Sequence, residues 1–210
     1  MVAEADAVMS GPEEGEVVED GQGSNSEGKH ALECKWTLWF DPGSGKTTTS
    51  SWGQTLMPVY SFQTVEDFWC LFNNIKPPSW LPTGSDFHLF KSGIEPKWED
   101  PMNAKGGQWT LSIAKGRDAK AELDKHWLDG LLACIGEQFT EGDDICGIVV
   151  NLRARSDRIS LWTRTAANEQ VQMSLGKELR QFLGDPSLKM SYKATADQLA
   201  SKSAKDRYVL

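Results

Sequence analysis

The chain has 210 residues, nine Trp, eight Phe and a formal charge of −8, with 30 acids against 22 bases. Eight of those acids fall in residues 1–28, which hold no Lys or Arg, so the remainder balances 22 acids against 22 bases and a general electrostatic coating of nucleic acid is excluded. The four cysteines (Cys34, Cys70, Cys134, Cys146) form no C-x-x-C pair, and no apolar run is long enough for a membrane-spanning helix, which argues against a zinc site and a bilayer anchor.

Residues 1–30 are rich in Gly, Glu and Ser and hold few large apolar side chains, so a disordered acidic tail is expected, followed by one domain over 31–210. The start shows no secretory signal pattern, and a reduced, intracellular setting is expected, with the cysteines as small core residues. Lys35–Phe40 alternates as a strand. Gly43-Ser44-Gly45-Lys46-Thr47 imitates the end of a phosphate-binding loop, but Phe40 stands where that motif needs its first Gly, and Thr-Thr-Thr-Ser-Ser is a poor helix start. Met57–Phe62 reads as a second strand. Thr64 then caps a helix with acids in its first turn, stopped by Pro77-Pro78. Phe68, Leu71 and Ile75 share one face of that helix, and Val65 and Trp69 lie at its edge, either buried or open to a partner's amphipathic helix.

Asp86–Lys91 is a strand leading into a loop, Gly93-Ile94-Glu95-Pro96-Lys97-Trp98-Glu99-Asp100-Pro101, whose prolines keep the residues before them out of helix. Gly107–Ile113 is the strand that leaves the loop. A long helix covers 121–139, with Leu123, Trp127, Leu131, Cys134 and Ile135 as its buried stripe and Leu128 and Leu132 on the flank. Cys146–Arg153 reads as an apolar strand turning tightly into Ile159–Thr163. A third helix spans Asn168–Leu183, then a short strand, Lys189–Lys193, and a polar tail. Short turns between neighbouring strands imply antiparallel pairing, so the fold class is α+β: a curved antiparallel sheet with three helices packed on its convex face.

Three kinds of residue collect on loops. Trp98 either packs inward or stands out as a platform beside the carboxylate of Glu99, and Trp52 lies in a second turn-rich stretch, so the two indoles can close on a planar cation from both faces. Arg153, Arg155 and Arg158 form a hairpin that is either solvated or a phosphate clamp. Together these groups describe a flat cationic ring with a donor edge and a chain of phosphates. A guanine methylated at ring nitrogen seven fits. The histidines His30, His88 and His126 fall on separate elements, and no Ser-His-Asp or Cys-His set is suggested, so no catalysis is expected.

Phe87-His88-Leu89-Phe90-Lys91, Gly93 to Asp100, Thr64-Val65-Glu66-Asp67-Phe68-Trp69, Ile135-Gly136-Glu137-Gln138-Phe139 and Asp144-Ile145-Cys146-Gly147 resemble the mRNA cap-binding member of eukaryotic translation initiation factor four, with wording closest to plant and algal members. The resemblance covers about residues 30–210. It implies a cupped sheet of eight strands backed by three helices, and recognition of the 7-methylguanosine 5′ cap between Trp52 and Trp98. By the same resemblance Glu99 reads the guanine edge, Arg153 and Arg158 hold phosphates, Trp162 lies near the methyl group and Asn151 lines the site. His30, Val65, Trp69 and Leu128 correspond to the surface for the large scaffold protein of the same initiation factor. The chain departs from the family pattern at His30-Ala31-Leu32, where His-Pro-Leu is usual, and at Arg158, where Lys is usual. The resemblance implies no cofactor, no metal and no membrane, a monomer outside the complex, and a cytoplasmic place with nuclear presence as well. A cap-binding repressor lacking scaffold binding and a nucleotide hydrolase using Gly45-Lys46-Thr47 are the alternatives.

Overall fold

A computed structural model describes residues 28–43, 55–201 and 205–210. The acidic tail up to residue 27, the Gly45-Lys46-Thr47 stretch and Trp52 lie outside the described residues. The elements run β1 (Ala31–Asp41), β2 (Met57–Thr64), α1 (Val65–Asn74), β3 (Asp86–Lys91), β4 (Gly107–Ala114), α2 (Ala119–Ile135), β5 (Ile145–Asn151), β6 (Ser156–Thr163), α3 (Glu169–Phe182), β7 (Met190–Ala194), α4 (Thr195–Ala200) and β8 (Tyr208–Val209). The eight strands make one antiparallel sheet in the order β2-β1-β3-β5-β6-β4-β7-β8.

Local chemistry sets the boundaries. The Thr64 hydroxyl accepts from the Asp67 amide at 3.2 Å, and Glu66 and Asp67 face the positive end of α1. The helix stops at Asn74, because the prolines that follow favour extended backbone. Asn168 caps α3 through the Val171 amide at 3.3 Å. Helix α2 ends at Ile135, short of the expected end at 139. Gly136 closes it, and Glu137 turns into the left-handed region with φ 48°. Phe139 is still buried, held outside the helix by an edge contact with Phe182 at 5.1 Å.

Strand alternation divides the side chains between two faces. Trp36, Leu38, Phe87, Leu89, Trp109, Leu111, Ile148 and Leu161 point to the helix side and form the main core. The alternate residues face the concave side, where Phe90, Ile94, Cys146, Val149 and Trp162 make a second, smaller cluster. This double burial explains why β3 and β5 read as near-continuous apolar runs.

Four expectations need correction. The tail after β7 is not merely polar: it forms α4, which meets the concave side through Gln108 and Gln198 at 3.3 Å, and β8, which extends the sheet. Helix α4 is thus a fourth helix beyond the three expected. Strand β5 ends at Asn151 rather than Arg153, because the buried Asp157 carboxylate accepts from the Arg153 amide at 3.0 Å and from the Lys115 ammonium, closing the turn early. Arg153 and Arg155 therefore lie in the turn between β5 and β6 rather than on a strand. Finally, only Cys134 and Cys146 are buried, with thiol pKa values pushed up to about 12 by burial; Cys34 is half-buried and Cys70 sits exposed on α1.

Candidate functional site

The loop between β3 and β4 is fixed by two buried or half-buried polar residues. Asp100 accepts the amides of Glu95 and Met102, each at 2.9 Å. Asn103, almost wholly buried, donates its side-chain amide to the carbonyls of Glu95 and Lys97, each at 2.8 Å. Gly93 enters the loop at φ 93°, a conformation open to glycine. The result is a rigid mount for Trp98. That indole is half-buried and packs against the concave cluster of Phe90, Ile94, Cys146, Val149 and Trp162. Glu99 beside it is exposed. The two readings of Trp98, core residue or platform, are thus both partly satisfied: one part of the ring has a floor.

Trp162 lies on β6 at 6 % exposure, with its ring edge-on to Phe90 at 5.6 Å between centroids. Its indole nitrogen is buried and has no hydrogen-bond partner among the described residues. Farther back on the same strand and the same face, Arg158 is exposed, opposite Asn151 on β5 and Ser112 on β4. At about 3.3 Å per residue, the aromatic end and the cationic end lie roughly 13 Å apart along the strand. Asn151 is half-buried at the cationic end, opposite Asp86 on β3.

Arg153 is oriented by Asp86. Its Nη1 and Nη2 donate to the two carboxylate oxygens at 2.5 and 2.9 Å, and Nη1 also reaches the Leu152 carbonyl at 3.0 Å. The hydrogen bonds to Asp86, against the cost of burial, raise the guanidinium pKa above its already high value. This pairing occupies the far end of the fork. The side edge, Nε–H with the second Nη2 hydrogen, keeps a bidentate geometry suited to an anionic oxygen pair. His88 sits between the two ends on the same face, buried, with neither ring nitrogen partnered among the described residues, and its pKa is lowered to about 4, chiefly by burial.

On the helix side, His30 is strapped to the start of α1. Its amide and Nδ1 meet the Glu66 carboxylate at 2.9 and 2.6 Å, and the Val65 amide donates to its carbonyl at 2.9 Å. Trp69 is 36 % exposed, held edge-on by Phe68 at 5.0 Å and Phe72 at 5.8 Å. Leu128 borders the same core from α2, and Leu132, one turn on, is exposed.

Within the described residues, then, Trp98, Trp162, Asn151, Arg153 and Arg158 share the concave side, and His30, Val65 and Trp69 share a patch at α1. Leu128 joins that patch only through the common core. The sequence reading does not reach the roles of Asp86, Asp100 or Asn103. Asp100-Pro101 and Asn103 are turn formers whose side chains bond nearby backbone, which is the one signal that marks them. Nothing local marks Asp86, because its partner lies 67 residues away.

Residues 31–209 match the family model described as eukaryotic initiation factor 4E. The chain is 51 % identical over 181 residues to eukaryotic translation initiation factor 4E-2 of Nicotiana tabacum, covering 86 % of this chain and 79 % of the relative. Its fold is similar to Caenorhabditis elegans eIF4E-3 solved in complex with the 4E-binding protein Mextli and cap analog, at 40 % identity and TM-score 0.77 over 87 % of this chain and 99 % of that one. It is also similar to Ascaris suum eIF4E-3 solved with m7G cap, at 41 % identity and TM-score 0.78 over 87 % and 98 % of the two chains. A family match over almost the whole described domain, and a plant relative sharing half its residues, lead to one conclusion: the chain belongs to the eukaryotic initiation factor 4E family.

Proposed function

We propose that this protein binds the 7-methylguanosine 5′ cap of mRNA without chemistry and recruits a scaffold protein to start translation in the cytoplasm. In this reading Trp98 stacks on one face of the methylated base and Trp52 on the other, each face contributing roughly 0.5–2 kcal/mol. Glu99 accepts from the guanine N1–H and amino group. Trp162 closes the pocket beside the methyl group, Asn151 lines the site, and Arg153 and Arg158 take the phosphates.

The observation that carries the proposal is one arrangement on one face. A mounted indole over an aromatic floor lies at one end, and an arginine already aligned by Asp86 lies at the other. The spacing suits a nucleoside followed by its phosphates, and relatives of like fold were solved with m7G cap and with cap analog. The patch of His30, Val65, Trp69 and Leu128 suits the apolar face of a partner helix, here one carried by the scaffold protein of initiation factor four. The C. elegans relative was solved with a 4E-binding protein.

Titration of intrinsic Trp fluorescence with 7-methyl-GTP and with GTP tests the proposal. Strong quenching by the methylated nucleotide and far weaker binding of plain GTP are expected. Trp98→Ala is expected to abolish retention on immobilised 7-methyl-GTP while the circular dichroism spectrum stays unchanged. Full retention by that variant refutes the stacking role.

A further inference from the structure

The two indoles of the proposed stack belong to separate loops. The Trp98 loop is fastened by Asp100, which collects the Glu95 and Met102 amides. The segment that carries Trp52, residues 44–54, has a carboxylate at its base too. Strand β1 ends at Asp41, whose Oδ1 accepts the Gly43 amide at 2.9 Å and the Thr55 hydroxyl at 2.6 Å. Gly43 stands just before the segment and Thr55 just after it, so one oxygen atom joins the two stems.

The outgoing stem is also built into the fold. Gly43 takes φ 68°, and a Cβ there would collide with the Gly84 carbonyl, so the stem lies directly on the turn that leads into β3. That turn is tied to the arginine end. The Gly84 amide donates to the Leu152 carbonyl at 2.8 Å, and the Leu152 amide donates to the Ser85 carbonyl at 3.1 Å. Asp41 itself pairs in register with Asp86, the carboxylate that holds Arg153. Two routes are therefore open to Asp41: direct bonds to the stems of the Trp52 segment, or charge felt at Arg153. The direct bonds favour the first. Hydrogen bonds to a charged acceptor are the strong ones, and a segment fixed at both ends has less freedom to lose when its indole closes on a ring.

We propose that Asp41 is a positioning residue for recognition of the methylated base: it touches no ligand, and by joining Gly43 to Thr55 it sets the base of the segment from which Trp52 stacks. The proposal rests on the cap-binding reading and adds a residue that governs discrimination between methylated and plain guanine. An indole senses the positive charge of the methylated ring, whereas the phosphates are common to both nucleotides.

The test titrates the full chain with 7-methyl-GTP and with GTP and takes the ratio of the two affinities. Asp41→Ala is expected to lower that ratio about three- to tenfold. Asp41→Asn keeps an Oδ1 for both donors and is expected to stay within about twofold of wild type. Thr55→Val deletes one donor at nearly equal shape and is expected to lower the ratio about two- to threefold, with Thr55→Ser restoring it. This second pair decides alone if Asp41→Ala does not fold. An unchanged ratio in Asp41→Ala, with only its thermal midpoint lowered, overturns the proposal and leaves Asp41 a structural residue. A loss shared equally by GTP also overturns it, because the action then runs through Arg153 and the phosphates. So does an Asp41→Asn variant as defective as Asp41→Ala, which makes charge the cause. A wild type that does not prefer 7-methyl-GTP over GTP is a separate result: it removes the cap reading itself.

Discussion

Two buried polar residues set the behaviour of the proposed site without lying in it. Asn103 gives two carbonyls of the Trp98 loop a second donor, beside the Lys97 amide on Glu95 at 2.7 Å and the Asp100 amide on Lys97 at 3.3 Å, and alanine there removes both side-chain bonds, at about 0.5–1.5 kcal/mol each. Asn103→Ala is therefore expected to loosen the indole mount and weaken 7-methyl-GTP binding by roughly tenfold in a fluorescence titration. An unchanged affinity would show that the loop holds Trp98 by packing alone. His88 works through protons. Burial keeps it neutral; Asp86 and Asp41 pull its pKa up and Arg153 pushes it down, but burial wins, at about 4 in the folded state against an unfolded 6.5. The unfolded chain thus binds the proton first. Stability from this group is complete above pH 6.5, falls as pH drops from 6.5 to 4, and changes no further below that, a loss on the order of 3 kcal/mol. Urea denaturation of wild type and His88→Gln at about pH 7, 5.5 and 4.5 checks it: the variant is expected to lose less between the first and the last. Parallel losses in the two proteins would remove His88 as the cause.

Elements were legible where local chemistry decides them. Thr64 and Asn168 announce two helix starts, and Pro77-Pro78 announces an end. The edges that failed were set by distant partners. Strand β5 stops early because Asp157 gathers the Arg153 amide and Lys115, and β8 forms because its backbone finds β7, with the Leu210 and Met190 amides and carbonyls exchanging bonds at 2.9 and 3.1 Å. Helix α3 shows how packing overrides propensity. Gly176 lies in its middle, where alanine would favour helix by about 1 kcal/mol. Yet a Cβ there would stand 2.6 Å from the buried Trp109 ring and 2.7 Å from Leu210. Trp109 is fully buried and tied through its indole N–H to the Gln172 carbonyl at 2.9 Å, so it has no room to retreat. Overpacking costs typically about 1–3 kcal/mol and outweighs the propensity gain. Gly176→Ala is expected to lower the thermal midpoint by several degrees; a raised midpoint would mean the ring yields.

At the scale of the molecule, the sheet is a partition. Its concave side carries Trp98, Trp162 and the arginines, and its helix side carries the main core and, beyond it, Trp69. Sequence alone reached both sets of residues, because the Trp98 loop and the α1 edge are short and dense in signal. It did not reach what orients them, since Asp86 and the strap from His30 to Glu66 depend on contacts made across the fold. The partition has a measurable consequence. The proposed cap and scaffold surfaces share no residue and belong to opposite faces of the sheet. Mutations at distant sites without shared partners act independently. Trp69 is the kind of exposed, aromatic-buttressed Trp that dominates helix recognition, where truncation costs about 2 kcal/mol or more. Trp69→Ala is therefore expected to weaken binding of an amphipathic scaffold helix by at least about thirtyfold, read by calorimetry. The same sample should keep its 7-methyl-GTP affinity within about twofold. If cap affinity falls in step, the sheet transmits strain between its faces and the two surfaces act as one site; if neither changes, the partner binds elsewhere than α1.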